Sequence, residues 1–217
     1  MTDFVAARKS MVDCQVRPSD VTSYPIIAAM LAVPREEFVP RQAREIAYLG
    51  DHISLAAGRV LLDARTMGKM LEALDIQPSE MVLDIGCGLG YSTALIAHLA
   101  EFVVAVEEIE ALAGEAETIL AAQSEDNAVI VTGALAEGAA AHGPYDVIIL
   151  QGAFETLPTA LKDQLKDGGR IAAIRAEGEY GTCLLGRKSH GEIIWRRVFD
   201  AAAPVLPGFA AVPEFEF

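Results

Sequence analysis

The run Val82-Leu83-Asp84-Ile85-Gly86-Cys87-Gly88-Leu89-Gly90-Tyr91 leaves the chain few ways to fold around it. An apolar strand ends on an acid, three glycines follow at alternate positions, and Ser92-Thr93-Ala94-Leu95-Ile96-Ala97 then reads as a helix. Glycine lets the backbone turn sharply and approach a ligand where any Cβ would collide. The helix start behind the turn offers unpaired N–H groups. Strand, turn and helix in that order begin a crossover unit, and crossover units build parallel sheets.

The rest of the chain agrees. From Met81 onward short apolar runs alternate with helical segments: Met81–Ile85, Val103–Val106, Ala128–Val131, Val147–Leu150 and Ile171–Ile174 as strands, with Ala94–Leu99, Leu112–Ala122 and Leu157–Leu165 as the helices. Such spacing predicts a parallel sheet covered on both faces. Cys183–Gly186 and Ile193–Val198 flank Ser189-His190-Gly191 and predict an antiparallel pair at the sheet's end. Residues 1–75 read as mostly helical. Met11 to Gln15 lies on one helix, Ser23-Tyr24-Pro25 opens another that Pro34 ends, and Met67, Met70, Leu71 and Leu74 mark the apolar face of a third. The expected organisation is an N-terminal helical extension, residues 1–75, and a Rossmann-like domain, residues 76–217, joined as a single compact unit.

Composition narrows the function. A formal net charge of −14 over 217 residues repels nucleic-acid phosphates and anionic lipid. Arg35, Arg41, Arg44, Arg59 and Arg65 concentrate in the first third and read as solvated arginines on helix faces. No segment approaches the ~18 apolar residues of a membrane helix. The residues after Met1 lack the apolar core of a signal peptide, and Cys14, Cys87 and Cys183 are odd in number and scattered. The cytoplasm is the expected compartment, with neither membrane nor nucleic acid as partner. His52, His98, His142 and His190 show no metal-ligand spacing, so no metal is expected.

Ligands on such sheets bind beyond the carboxyl ends of the strands. A dinucleotide turn wants Gly-x-Gly-x-x-Gly, and its third glycine would fall on Tyr91. Asp84 aims a negative charge at the ligand, which opposes pyrophosphate and suits a cation. S-adenosylmethionine, with a sulfonium, an ammonium and no phosphate, is the expected cofactor. Glu107 closes the second strand about 20 residues past the turn, where an acid accepts from ribose hydroxyls; Glu108 competes for that role. Gly133-Ala134-Leu135 lies where an adenine would sit, and Gln151-Gly152-Ala153 beneath the donor methyl. The candidate cofactor-binding residues are therefore Asp84, Gly86, Cys87, Gly88, Gly90, Tyr91, Glu107, Ala134, Leu135 and Gln151. Cys87 has two readings, a thiol activated at a helix N-terminus or a small residue that fits a tight turn.

Five stretches resemble the protein-L-isoaspartate O-methyltransferase family. They are Met11-Val12 with Gln15, Val33-Pro34-Arg35-Glu36-Glu37-Phe38-Val39-Pro40, Met81 to Ala94, Pro144-Tyr145-Asp146-Val147-Ile148, and Gln164 to Ile171. The resemblance implies an α/β class I methyltransferase fold: a mostly parallel seven-stranded sheet, an N-terminal helical extension and antiparallel C-terminal strands. It implies methyl transfer from S-adenosyl-L-methionine to the α-carboxylate of isoaspartyl proteins or peptides, with S-adenosyl-L-homocysteine as product. The family's active-site loop reads Gly-Gln-Thr-Ile-Ser-Gln-Pro; here it is Gly58-Arg59-Val60-Leu61-Leu62-Asp63-Ala64. Leu62 replaces the serine and Asp63 the following glutamine, so Arg59, Leu62 and Asp63 are the acceptor-loop candidates. Arg59 reads either as a surface arginine or as the partner of an anionic acceptor. Gly133-Ala134-Leu135 stands for the family's Gly-Asp-Gly, and Gln151-Gly152-Ala153 for Thr-Ala-Ala. Two alternatives stay open: a small-molecule acceptor, and a non-catalytic binding protein on the same scaffold.

Overall fold

The computed structural model describes residues 2–178 and 180–211. Its centre is a seven-stranded sheet in the order β5-β4-β3-β6-β7-β8-β9. The strands are β3 Met81–Ile85, β4 Phe102–Glu107, β5 Ala128–Thr132, β6 Tyr145–Phe154, β7 Leu165–Glu177, β8 Tyr180–Ser189 and β9 Glu192–Asp200. The first five run parallel and the last two close the sheet as an antiparallel meander. This is the Rossmann-like arrangement that the strand–helix alternation implies. Every strand read from the sequence is present, with β6 and β7 longer than their apolar cores alone suggested.

Side-chain alternation assigns the two faces. Val82, Val103, Val147 and Ala172 join one core cluster, which also takes in the N-terminal helices. Leu83, Val104, Ile148 and Ala173, one residue on in each strand, join the other. A strand buried on both faces needs an unbroken apolar run, and these strands supply it. The order reverses between β3 and β6, which leaves a crevice beyond the carboxyl end of β3.

The helices are α1 Phe4–Met11, α2 Tyr24–Ala32, α3 Ala64–Leu74, α4 Tyr91–Ala97, α5 Glu110–Gln123 and α6 Thr159–Gln164. Pro25 sits in the first turn of α2, where its missing N–H costs nothing. The apolar face of α3 is buried as its spacing requires. Two expectations need correction. Met11 to Gln15 is not one regular helix: α1 ends at Met11 and Val12–Val16 forms a wider π turn. Residues 53–61, read only as part of the helical extension and its active-site loop, fold as an antiparallel hairpin of β1 Ile53–Ala56 and β2 Arg59–Leu61, closed by Gly58 at φ +69°. The hairpin stands apart from the main sheet. Among the described residues no helix is long and apolar enough to cross a membrane.

One polar clamp holds the entry edges of β3, β6 and β7 together. Asp146 accepts from the Met81 N–H at 2.9 Å and takes the Lys166 ammonium on both oxygens at 2.8 Å. Partial burial pushes the Asp146 carboxyl up, but the Lys166 and Met81 hydrogen bonds outweigh it and hold the group below its ordinary value. Its stabilising contribution is thus complete above the unfolded carboxylate pKa of about 4 and is lost as pH falls through the lower folded value. Replacing Asp146 by Asn should lower stability by about 1 kcal/mol near neutral pH, the pair being partly solvated. Urea unfolding of wild type and variant should show that difference shrinking below about pH 4.

Candidate donor-binding site

Three strand ends meet at the switch point. Asp84 near the end of β3 is fully buried. One of its carboxylate oxygens accepts from the hydroxyls of Ser92 and Thr93, at 2.6 and 2.8 Å, and the other from Gln151 Nε2 at 2.7 Å. Burial pushes the Asp84 carboxyl up, while the three donors and nearby Glu107 pull in opposite senses. The sequence reading had Asp84 facing a ligand. The structure instead shows its oxygens engaged by the first turn of α4 and the end of β6.

The turn itself behaves as read. Gly86, Gly88 and Gly90 have φ of +81°, +59° and +90°, conformations that side-chain-bearing residues rarely adopt. The first residue of α4 does not line the crevice. Tyr91 is buried against Phe38, with ring centroids 5.8 Å apart, and the Arg35 guanidinium lies 4.9 Å from its ring. Leu135 is buried in the core cluster of the opposite sheet face, whereas Ala134 is exposed. Burial and two nearby carboxylates push the Cys87 thiol well above its ordinary value. That environment disfavours a thiolate, in keeping with the reading of Cys87 as a small residue in a tight turn.

Glu107 closes β4 at the expected place, but its partner was not expected. Arg59 on β2 reaches it with two parallel hydrogen bonds, Nη1 to Oε1 and Nη2 to Oε2, both 2.8 Å. The arginine is 1% exposed and the glutamate 0%. Backbone N–H groups of Gly88, at 2.8 Å, and Ile109, at 3.0 Å, complete the carboxylate's shell. Both earlier readings of Arg59 are therefore overturned: it is neither at the surface nor free to meet an acceptor. Arg35 is likewise buried, its Nε donating to Ala47 O at 2.7 Å and its Nη2 to Leu62 O at 2.8 Å. An arginine whose fork finds acceptors can be buried even with one N–H left over, as Nη1 of Arg35 and Nε of Arg59 are, and composition alone does not reveal which arginines find them.

The other acceptor-loop candidates have structural tasks here. Leu62 is in the core. Asp63 caps α3, accepting from Thr66 N at 2.8 Å and Thr66 Oγ1 at 2.7 Å. His52 Nδ1 accepts from Asp63 N at 2.9 Å, so its Nε2 carries the hydrogen and donates to Ala202 O at 2.8 Å. Sequence reasoning missed Leu55, His52 and Leu206, since ordinary apolar residues and a lone histidine carry no motif. Leu206 belongs to a strap, residues 204–209, hydrogen-bonded along the end of β6 through Ala153 N to Pro204 O and Leu206 N to Ala153 O.

These side chains fill the crevice. A Cβ on Gly88 would lie 2.4 Å from Leu55 Cδ1, one on Gly86 2.9 Å from Arg59 Nη2, and one on Gly152 2.5 Å from Leu206 Cδ2. The backbone cradle suits an adenosine-type ligand, yet the side chains over it do not leave room for one in this arrangement. Cradle and ligand do not fit together while the hairpin is closed. Among the described residues no group of His, Cys, Asp and Glu side chains is placed to hold a metal.

The buried pair yields a stability prediction. Glu107→Gln strands the Arg59 charge in the interior and should cost about 3–5 kcal/mol. Replacing both residues by leucine should recover most of the loss. Chemical unfolding of the two variants checks this, and equal losses would contradict it.

Similarity to known proteins agrees with the geometry. A family model described as protein-L-isoaspartate(D-aspartate) O-methyltransferase matches residues 7–201. A protein-L-isoaspartate O-methyltransferase of Koribacter versatilis is 33% identical over 208 residues, covering 96% of this chain and 94% of its own. Protein-L-isoaspartate O-methyltransferase 1 of Rhodopseudomonas palustris is 36% identical over 170 residues, covering 78% and 69%. A solved protein-L-isoaspartate O-methyltransferase superposes with a TM-score of 0.80 at 22% identity, over 93% of this chain and 66% of that one. A Plasmodium falciparum structure, described as such an enzyme in complex with S-adenosyl-L-homocysteine, gives 0.77 at 20% identity, over 95% and 99%. By the extent of the family match and of its relatives, the chain belongs to the protein-L-isoaspartate(D-aspartate) O-methyltransferase family.

Proposed function

We propose that the chain is an S-adenosyl-L-methionine-dependent O-methyltransferase that esterifies the α-carboxylate of isoaspartyl residues in damaged proteins or peptides. One observation carries this reading: a member of that family keeps Asp84, the three left-handed glycines and Glu107 at adjoining strand ends beside the switch point. The proposed cofactor-binding set is Asp84, Gly86, Cys87, Gly88, Gly90, Tyr91, Glu107, Ala134, Leu135 and Gln151. Tyr91 and Leu135 would act through packing, because both side chains are buried in the core. An acceptor carboxylate is ionised at neutral pH and already nucleophilic. Catalysis of such a transfer rests on position rather than on a general base. That agrees with a site whose nearest histidine, His52, has both ring nitrogens engaged. Three free cysteines, two of them buried, suit the reducing cytoplasm.

The Arg59–Glu107 pair favours a second reading, a non-catalytic binding protein on the same scaffold, because it occupies the acid that a ribose would use. Incubation with methyl-labelled donor and a peptide containing isoaspartate, with its aspartyl isomer as control, separates the two. The expected result is a base-labile ester that releases labelled methanol from the isoaspartyl peptide only. No labelled ester at any donor concentration would overturn the isoaspartyl reading. Labelled small molecules from a cell extract would instead point to another acceptor.

A further inference from the structure

We infer that the β1–β2 hairpin is an intramolecular occupant of the donor cradle, so that the closed hairpin and S-adenosylmethionine exclude one another. This rests on reading the Asp84–Glu107 crevice as the donor site.

The first argument is the saturation of Glu107. A carboxylate offers about four acceptor positions. Arg59 Nη1 and Ile109 N take Oε1, and Arg59 Nη2 and Gly88 N take Oε2. A pair of ribose hydroxyls finds no vacant position until the guanidinium leaves. The second argument is space. The room that glycine leaves at Gly88 is filled by Leu55, and at Gly86 by Arg59 itself. Charge supplies the third. The cation that two buried carboxylates call for is already present as Arg59, so a sulfonium and an ammonium would enter against a like charge.

The hairpin is also built to leave. It is a two-stranded sheet that shares no backbone ladder with the main sheet and is held to it through the Arg59 side chain, and two strands alone are marginally stable in water. Arg59 Nε is buried without a hydrogen-bond partner among the described residues. Opening returns that N–H to water, which offsets part of the loss of the ion pair. Displacement leaves β3, β4 and β6 intact, so the cradle survives with the hairpin out.

Calorimetric titration of S-adenosyl-L-homocysteine, the unreactive product, into wild type, R59Q, L55A and the double variant tests the inference. R59Q should bind roughly tenfold or more tightly than wild type, about 1.4 kcal/mol, and the double variant tighter still. Unchanged or weaker binding by R59Q overturns the inference, and so does absence of binding by all four proteins. The outcomes separate from those of the functional reading. Wild-type turnover on isoaspartyl peptide with R59Q affinity unchanged defeats the hairpin and leaves the enzyme. Tighter binding by R59Q with no turnover by either protein defeats the enzyme and leaves the hairpin. Should the variants fold poorly, hydrogen exchange on wild type decides: amides of 53–61 should exchange faster with millimolar S-adenosyl-L-homocysteine, and slower exchange overturns the inference.

Discussion

A guanidinium and a carboxylate, joined by two parallel hydrogen bonds and shut away from water, hold this structure's parts in relation. Burying two charges is costly, and the cost is offset only when every remaining lone pair finds a donor. Glu107 meets that condition through Gly88 and Ile109. The pair therefore fixes more than itself. It draws β2 down onto the end of β4, and the residues leaving β2 then enter α3 through the Asp63 cap. Arg35, donating to the Leu62 carbonyl, ties the segment after α2 to the same point. β2, α3 and the segment after α2 are thus linked at one point beside the sheet, in addition to their packing in the core cluster on that face.

Electrostatics explains why a cation sits there. Asp84 and Glu107 end neighbouring strands at the switch point, both fully buried. Asp84 is pushed towards its neutral form by burial and by Glu107, and is kept in check by three hydrogen-bond donors. Two such acids in an apolar interior need positive charge nearby. In a methyl-donor enzyme the cofactor supplies it when bound. Here the protein's own side chain does, which accounts for the coexistence of a well-kept cradle with a filled crevice.

Most of the architecture was legible because its signals are periodic. The apolar runs of β3 to β7 and the glycine turn read together as a parallel sheet of crossover units. Distance from the turn narrowed the strand-end acid to Glu107 or Glu108, and the structure shows Glu107 buried at the end of β4. The hairpin could not. Its strands have four and three residues, too short for alternation to register, and its turn is Ala57-Gly58 rather than a strong hairpin pair. The two buried arginines were unreadable for a different reason. Whether an arginine is solvated or interior depends on acceptors brought from far along the chain: Glu107 for Arg59, and Ala47 and Leu62 for Arg35. Tyr91 was misplaced because its position after the glycines suggests a ligand contact, while Phe38 and Arg35 claim its ring from the other side.

The cover over the cradle comes from two distant parts of the chain, and His52 spans them. Its Nδ1 accepts from Asp63 N just after the hairpin, while its Nε2–H reaches Ala202, two residues before the strap that carries Leu206. One imidazole thus acts as a clasp between halves of a lid that share no strand. Lifting the hairpin alone therefore costs one of the ring's two bonds, which couples Leu55 to Leu206 although they lie on separate segments.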